Sequence, residues 1–491
     1  MAAIGRWGAT WAIVFLSLTG CSTIPDFHSV SFSGRRFNIS DYGAVGDGRT
    51  NCTAAIQKAI DVCASTGGGQ VVVPSGTFLI GPINLASNMD FHLEKDAKLL
   101  CSRNFDDYPL VYASFLGKDT VQCASGITAR NLHDVSITGP GVIDGQGEAW
   151  RTIKKSKLTP EQWEKIVQSG GVVNATGDQW WPSRSAMENQ QALAALRESN
   201  EPPRMEDYVK FRDLLRPDMV ALIHCDHLLL DGPTFRNSPF RAVQVLRCHD
   251  VVVRNCTIYN EIWAQNGDGI GFDSSRDVLM EDSTVYAGDD NVVLKSGKDE
   301  EGRKYHLPTE NVTIRRCTSM WGHGGFVLGS ETSGDIRHVY ITDCVCDGTD
   351  VGLRFKSVRG RGGVVEDIHV DRVTMSHIAT QAILFDLFYE KADSKPEPHS
   401  ERTPCFRDFD IRNVTCQSAG QSLWINGLSE LPVYNLCFEN VRLAGDRGAV
   451  ISEAKDVTFK HVQIESKTSP AFSTQNAAGL NLWDLQTKVG D

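Results

Sequence analysis

The sequence predicts an all-β fold, a right-handed parallel β-helix with a short capping helix near its N-terminus and one helical insertion. One observation is a repeat of two polar residues, an apolar residue, any residue and another apolar residue, as in HDVVVRNCTI (249–258) and ENVTIRRCTS (310–319). The other is the period, since 27 residues separate the apolar anchors Val251 and Val278 and 34 separate Val278 and Val312. This alternation and period are typical of a solenoid of strands joined by loops of variable length. Leucine-rich repeats fit less well because their leucine spacing is missing.

Composition excludes several classes of protein. The chain has 491 residues, 41% of them apolar, which is enough for a sizeable core. The formal net charge of -12 argues against nucleic acid as a partner, because phosphate binding needs a broad basic surface. Cys256, Cys317 and Cys344 lie at matching points of the repeat, where we expect small buried residues rather than metal ligands. We expect a monomer without cofactor or metal.

The N-terminal residues have the pattern of an export signal. An apolar run too short to form a permanent membrane span precedes the motif LTGC at 18–21. This motif resembles the lipobox of bacterial lipoproteins, which implies a signal peptide over 1–20, a lipidated Cys21 and a tether over 21–36. Ser22 after the cysteine implies sorting to the outer membrane. We therefore expect an exported protein, at the cell surface or on the periplasmic side, that meets the membrane only through a lipid anchor. Ordinary secretion, with Cys21 as a bystander, is the alternative.

Residues 37–491 are predicted to form a single domain. After a first strand and turn at 37–47, apolar residues at helical spacing predict a helix over 53–64, suited to cap the open end of the strand stack. Short strands follow at 71–73, 78–80 and 91–93. The repeat is then interrupted at about 151–215, where LTPEQWEKIV and AMENQQALAALRESN predict helices. We expect the tryptophans of this insertion to pack rather than to stack on a sugar.

Four apolar runs that each end in serine mark one strand position in four coils. They are GIGFDS (269–274), NVVLKS (291–296), GFVLGS (325–330) and GLRFKS (352–357). Two and four residues before each serine the side chain is apolar, so this face is predicted to point into the coil. One and three residues before the serine the side chains face out. Arg354 and Lys356 occupy these outer rows, and Gln244 falls in the row of Arg354.

The same alignment predicts a cluster of carboxylates and an imidazole. Asp268 and Asp290 lie six residues before their serines, and Asp289 and His323 lie seven before theirs. Because equivalent positions of adjacent coils are one strand spacing apart, about 4.8 Å, the four side chains should be close together. Like charges that close cannot all ionise freely, so at least one pKa should rise, which would supply a general acid beside general bases.

Turn chemistry is the alternative explanation of these polar clusters. Asn-Gly-Asp-Gly and Gly-Asp-Asp are common turn sequences. The matched registers, and the outward-facing cations beside them, favour a functional site. A calcium site is a weaker option because of those cations. The run Arg354, Lys356, Arg359 and Arg361 contains no acidic residue, which suggests a local receptor for a carboxylated sugar.

These motifs, in this order, resemble glycoside hydrolase family 28, the polygalacturonase family. The matching segments are Asn266-Gly267-Asp268, Gly288-Asp289-Asp290, Gly322-His323-Gly324 and Arg354-Phe355-Lys356. The resemblance implies inverting hydrolysis of α-linked galacturonic acid in pectin, either polygalacturonan or rhamnogalacturonan. It makes Asp289 the general acid, lets Asp268 and Asp290 activate water, and gives His323 a tuning or orienting role.

The resemblance also implies a substrate site. Arg354 and Lys356 would hold the substrate carboxylate, with Asn266 and Gln244 as further substrate-binding residues. The chain departs from the family pattern at Gly271, where an aspartate is usual, and at Gln244, where a histidine is frequent. The insertion and the loop at 297–308 are expected to wall off one end of the cleft, which favours exo action. A lyase-like β-elimination with Arg354 or Lys356 as base, and a non-catalytic polysaccharide-binding β-helix, are the alternatives.

Overall fold

A computed structural model describes residues 34–115, 118–199, 202–390 and 395–490. The predicted signal peptide, the lipidated Cys21 and most of the predicted tether lie outside these ranges. The described chain is the predicted right-handed parallel β-helix, because strands of successive coils pair in parallel along almost its whole length. None of the described helices is long and apolar enough to cross a membrane.

Successive coils add strands to three parallel sheets, the faces of the β-helix. The first face carries the strands Ile83–Asn84, Ile127–Arg130, Val220–Ile223, Val243–Leu246, Ile270–Asp273, Asp290–Lys295, Gly324–Leu328, Val351–Lys356, Ile378–Asp386, Ala419–Asn426 and Phe472–Ala478. The second carries Arg36–Asn38, Gly69–Val73, Met89–Leu93, His133–Thr138, Asp226–Asp231, His249–Arg254, Arg276–Glu281, Thr309–Arg315 and Cys405–Arg412. The third carries Asp47–Asn51, Gly76–Ile80, Ala97–Cys101, Val142–Asp144, Thr234–Arg236, Thr257–Tyr259, Thr284–Tyr286, Thr318–Met320 and Thr415–Cys416. Ile336–Asp347, Val364–Ser376, Val433–Gly445 and Asn481–Val489 turn from the second face into the third, and Arg447–Ser466 runs through all three.

The polar pair of the repeat is explained by a corner within the first residues of these second-face strands. Its second member has a left-handed backbone conformation, with φ of 55° at Asp250, 53° at Asp277 and 56° at Asn311. Asn and Asp tolerate this conformation better than most residues, so the repeat selects them there. A second left-handed corner immediately precedes Cys256 and Cys317, which are buried as predicted.

The interior of the coil is filled by the apolar rows that the serine alignment predicts. All eight predicted inward residues are at most 1% exposed, and they are Ile270, Phe272, Val292, Leu294, Phe326, Leu328, Leu353 and Phe355. They belong to one continuous core that extends from Ile39 to Ile464. The predicted N-terminal helix spans Thr53–Ser65 and buries Ile56, Ala59, Ile60 and Cys63 against this core, as a cap would.

The insertion has a small core of its own. Its helices are Pro160–Gln168, Arg184–Glu198 and Met205–Tyr208, with 3-10 turns at Lys155–Lys157 and Val209–Leu214 and a small antiparallel sheet of Ile153–Lys154, Val172–Val173 and Gln179–Trp181. The predicted packing of the tryptophans is confirmed, because Trp180 and Trp181 are each 5% exposed. The helices pack on an antiparallel hairpin, Leu110–Phe115 with Lys118–Cys123, through Tyr108, Trp150 and Tyr208. This hairpin was not predicted.

Four further short helices complete the described fold. Two are 3-10 turns, at Ile39–Tyr42 and Phe105–Asp107, and Gly147–Ala149 forms a third such turn before the insertion. The segment 297–308, expected to be a loop, contains the helix Asp299–Tyr305. This helix is fixed beside the first face because the Arg361 Nη1 donates to Asp299 Oδ1 at 2.5 Å and Arg303 Nη1 donates to the Gly360 carbonyl at 2.6 Å.

Candidate active site

The strand register brings the predicted site residues to one edge of the first face. Ile270 pairs with Val292, Val292 with Phe326, and Phe326 with Leu353, which is the register that the serine alignment predicts. Asp268 and Asp290 are therefore equivalent positions of adjacent coils, as are Asp289 and His323. The sequence prediction of a shared edge is confirmed.

Asp290 lies between the two cations of the Arg-Phe-Lys motif. Arg354 Nη1 is 2.9 Å from Asp290 Oδ1, and Lys356 Nζ is 2.7 Å from Asp290 Oδ2. The Asp290 and Lys356 side chains are buried, with exposures of 4% and 5%. Burial alone would raise the pKa of Asp290, but Lys356 and Arg354 hold it well below its usual range. Asp290 is therefore a carboxylate, and the two cations predicted to hold a substrate carboxylate bind this protein carboxylate in the structure.

Asp268 is the carboxyl group whose pKa rises. Burial, followed by the nearby charge of Asp289, raises the pKa of Asp268 to about 7, while Lys295 acts in the opposite direction. The prediction that at least one pKa of the cluster is raised is thus confirmed. The group concerned is Asp268, to which the family resemblance gives a role in activating water.

Lys295 and Glu331 extend this cluster, and neither was singled out from the sequence. Lys295 Nζ lies 3.8 Å from Asp268 Oδ2 and 3.5 Å from Glu331 Oε2, and all three side chains are largely buried. Burial alone would raise the pKa of Glu331, but Lys295 and then Arg361 hold it at about 2. The signal for Lys295 was present, because it precedes Ser296 as Lys356 precedes Ser357. Glu331 follows the third aligned serine, beyond the rows that the alignment covers.

Asp289 and His323 face each other at the more open side of the cluster. His323 Nδ1 is 3.3 Å from Asp289 Oδ1, and the two side chains are 37% and 22% exposed. The hydrogen bond to Asp289 raises the pKa of His323, against the effect of burial. Lys157, from the insertion, places its Nζ 3.2 Å from His323 Nε2. The Asp290 amide donates to Asp289 Oδ1 at 3.0 Å, which also fixes the Asp289 carboxylate.

The two departures from the family pattern are neighbours in space. Gln244 pairs with Gly271 across the first face, and a Cβ atom at Gly271 would lie 3.0 Å from Gln244 Oε1. A larger side chain at position 271 would thus press on the amide of Gln244, which is 4% exposed. Gln244 also falls in the row of Arg354, as predicted, through Gly271, Val293 and Val327. The glutamine fills space that the glycine leaves.

Other basic residues near the site are held by the protein itself. Arg359 pairs with Glu430 through Nε at 2.5 Å, and Arg361 pairs with Asp299. Their part in a sugar receptor stays a prediction, and in the structure each of them is paired with a protein carboxylate. Asn266 is also engaged, since its Oδ1 accepts from Arg216 Nη2 at 2.8 Å.

Beyond Gln244 the first face leads into a cavity of about 170 Å³. Its floor includes Thr128, Ala221 and Gln244, and its far wall is the hairpin, through Tyr112 and Gln122. Arg241 also lines this cavity, paired with Asp218 at 2.8 Å. The N-terminal end of the cleft is therefore bordered by a hairpin that the sequence did not reveal.

Residues 210–468, more than half of the chain, match the family model of glycosyl hydrolases family 28. The chain belongs to glycosyl hydrolase family 28. Residues 36–92 match the model "Rhamnogalacturonase A/epimerase, pectate lyase-like". Within the part of this glycosidase that the structure describes, no three His, Cys, Asp or Glu side chains are arranged to hold a metal ion.

Named relatives and a solved structure agree with the family. A probable polygalacturonase of Vitis vinifera is 28% identical over 454 residues, covering 90% of this chain and 80% of the relative. An exo-poly-alpha-D-galacturonosidase of Dickeya chrysanthemi is 29% identical over 450 residues, covering 88% and 72%. The crystal structure of a hyperthermoactive exopolygalacturonase from Thermotoga maritima superposes with a TM-score of 0.75 at 26% identity, covering 94% of each chain.

Proposed function

We propose that this glycoside hydrolase releases galacturonic acid units from the end of α-linked galacturonan in pectin, by inverting hydrolysis. The observation that carries the proposal is that the three carboxyl groups of the cluster have different environments. Asp290 is held ionised by Arg354 and Lys356, whereas Asp268 has a pKa of about 7 and Asp289 stands at the open side beside His323. A site with distinct carboxyl groups for proton donation and water activation is what inverting hydrolysis requires.

Each carboxyl group then has a role. Asp289 protonates the glycosidic oxygen, since it is the most exposed of the three and is oriented by His323. Asp290 and the deprotonated form of Asp268 accept the proton of the attacking water. Arg354 and Lys356 lie beside Asp290, where they also attract the carboxylate of the sugar.

Exo action is supported by the hairpin at one end of the cleft. The hairpin Leu110–Phe115 with Lys118–Cys123 bounds the cavity beyond Gln244. A polysaccharide that extends in both directions would have to pass through this wall, whereas a chain end fits against it. The exo-acting relatives from Dickeya chrysanthemi and Thermotoga maritima support the same mode.

The structure disfavours β-elimination. A lyase would need Arg354 or Lys356 as a neutral base, yet both are bound to the carboxylate of Asp290. Although burial lowers it, the pKa of Arg354 is raised overall by Asp290, which makes its deprotonation harder still. The carboxyl groups of Asp268, Asp289 and Asp290 lie together at one strand edge, which also argues against a non-catalytic binding protein.

The test is a panel of galacturonan and rhamnogalacturonan oligosaccharides, read by product size, new reducing ends and ultraviolet absorption. We expect small products from the first time point, no unsaturated product, and NMR evidence for inverted anomeric configuration. Asp289→Asn should lower kcat about 100- to 10,000-fold while the fold is retained. Asp343→Asn, at an exposed corner paired with Arg372, is the matched control and should keep full activity. Near-normal hydrolysis by Asp289→Asn on every substrate would refute its role as the acid.

We also propose that the protein is exported as a monomeric lipoprotein anchored through Cys21. The support is the LTGC motif after an apolar run. Labelled fatty acid should be incorporated into the wild-type chain and not into Cys21→Ser, and the variant should move from the membrane to the soluble fraction. Equal labelling of the two proteins would refute the anchor. Sedimentation of the soluble variant should give the mass of one processed chain, somewhat below the 54.0 kDa of the full 491 residues.

A further inference from the structure

A small cavity lies between the insertion and the catalytic cluster. It measures about 200 Å³ and opens beside Asp289 and His323. The insertion contributes Lys154 and Lys157 to its lining, and Trp263 lies on the side of the β-helix. Neither lysine belongs to the motifs that define the family resemblance, so this cavity is a feature of the insertion.

The insertion is fixed where it meets the β-helix. Thr152 Oγ1 donates to Gln265 Oε1 at 2.6 Å, and the buried Arg151 contacts Glu261 at 3.1 Å. Lys157 then reaches His323, donating from Nζ to Nε2 at 3.2 Å. Both lysines are exposed, and the backbone of Lys154 is fixed by the pairing of its strand with Gln179, so both line the cavity beside the catalytic cluster.

Lys154 and Lys157 are cations beside the site that have no carboxylate partner. In the described ranges of the chain, no carboxylate oxygen lies within 4.0 Å of either ammonium group. Most other cations around the site are engaged by acidic side chains, whereas Arg216 donates to Asn266 Oδ1 and to the Gln265 carbonyl. These pairs are Arg354 and Lys356 with Asp290, Lys295 with Asp268 and Glu331, Arg359 with Glu430, and Arg361 with Asp299. The lysines of the insertion thus supply positive charge that the protein does not itself neutralise.

The position of the two lysines relative to Asp289 indicates which sugar of the substrate binds beside them. Asp289 lines the cavity, whereas Asp268 and Asp290 do not. Asp289 is the group that gives its proton to the departing oxygen in the proposed mechanism. A sugar in the cavity is therefore the one that leaves with that oxygen.

We propose that Lys154 and Lys157 form a carboxylate-binding subsite for the galacturonate on the leaving-group side of the scissile bond. The insertion then selects a uronic acid over a neutral sugar at that position, which favours galacturonan over rhamnogalacturonan. This inference rests on the proposed function, because it assigns the sides of the site from Asp289. Lys157 also positions His323, whereas Lys154 has only the binding role.

The test compares oligogalacturonates with their methyl esters, which lack the charge. Replacing both lysines by methionine should lower kcat/KM on the acid about tenfold or more, chiefly through KM, because hydrogen bonds to charged groups are lost. On the methyl ester Lys154→Met should change kcat/KM by no more than about twofold, and the double variant should lose only what the contact of Lys157 with His323 contributes, so that the preference for the acid shrinks. Lys165→Met, on an exposed position of the helix Pro160–Gln168 outside the cavity, is the matched control and should change neither value.

Two outcomes would overturn the subsite. One is an unchanged preference for the acid in the double variant, and the other is an equal loss on the acid and the ester. Lys154→Met alone should reduce the preference without moving the pH profile, whereas Lys157→Arg should retain both. Calorimetry with galacturonic acid separates this inference from the proposed function. If wild type binds the acid through the two lysines and yet hydrolyses no galacturonan, only the proposed function fails.

Discussion

Lys295→Met should shift the pH dependence of hydrolysis, because Lys295 is the cation that opposes the raised pKa of Asp268. Its Nζ lies 3.8 Å from Asp268 Oδ2. At an effective dielectric constant of about 20, a charge pair at this distance interacts by about 4 kcal/mol. Glu331, 3.5 Å away on the other side, shares the same ammonium group, so only part of this energy favours ionised Asp268. Even a third of this interaction energy corresponds to a shift of about one unit in the pKa of Asp268.

The assay is the pH profile of kcat/KM on an oligogalacturonate. Because Asp268 must lose its proton to help activate water, and its pKa is about 7 in the wild type, its ionisation governs the low-pH limb. Removing Lys295 makes ionised Asp268 less stable, so this limb should move upward by at least about one pH unit. Lys460→Met removes a similar ion pair, 2.6 Å from Glu439 in a distant coil, and should leave the profile unchanged.

The result that would refute this reasoning is a Lys295→Met enzyme with lower activity but both limbs in their wild-type places. That outcome would mean that Lys295 only supports packing. Movement of the high-pH limb alone would contradict the assignment of Asp268 as a base, because an acid must keep its proton to act.

Two further substitutions test the same cluster from other sides. Asp290→Asn should lower kcat about 100- to 10,000-fold, as initial rates will show. It should also lower the free energy of unfolding by about 3–5 kcal/mol in urea titrations, because Arg354 and Lys356 stay buried without their carboxylate. Glu331→Gln frees Lys295 for Asp268, so the low-pH limb should move down, opposite to its movement in Lys295→Met. The pKa of Glu331 is about 2, below its ordinary value, so its contribution of about 3 kcal/mol is present above pH 4.5 and is lost as pH falls toward 2. Urea titrations of Glu331→Gln should therefore show lower stability at pH 7 and a smaller loss below pH 4.5, and an unchanged pH dependence would contradict the ion pair.

The rows of the first face were predictable because a β-helix repeats one local pattern. Alignment of four serines was enough to pair Asp268 with Asp290 and Asp289 with His323, since each coil places equivalent residues one strand apart. The same logic placed Gln244 in the row of Arg354. Such rows depend only on strand alternation and on a constant register, and both can be read from local sequence.

The parts that were missed depend on contacts between distant residues. The hairpin at 110–123 is held by Tyr108 against Trp150, with ring centroids 5.0 Å apart, and by Thr120 with Tyr208. No local pattern shows that such a hairpin will border the cleft. Glu331 lies just past the aligned serine, and only the turn there directs it to Lys295. The family resemblance gave a role to Asp268, whereas its raised pKa depends on burial, which the sequence does not state.

The separation between rows and loops also explains where chemistry and specificity lie in this fold. Catalytic side chains project from strand ends whose register is fixed by neighbouring coils, so a change in one loop leaves them in place. The hairpin, the insertion and the helix Asp299–Tyr305 leave the coil between strands and meet the first face from different sides. Loops of this kind vary without disturbing the core. Gln244 and Gly271 show the limited exchange that the rows themselves allow, in which a longer side chain in one coil is accommodated by a glycine in the next. Differences in substrate among proteins that share these rows should therefore follow from the loops, and the two lysines of the insertion are the place in this chain where that expectation can be measured.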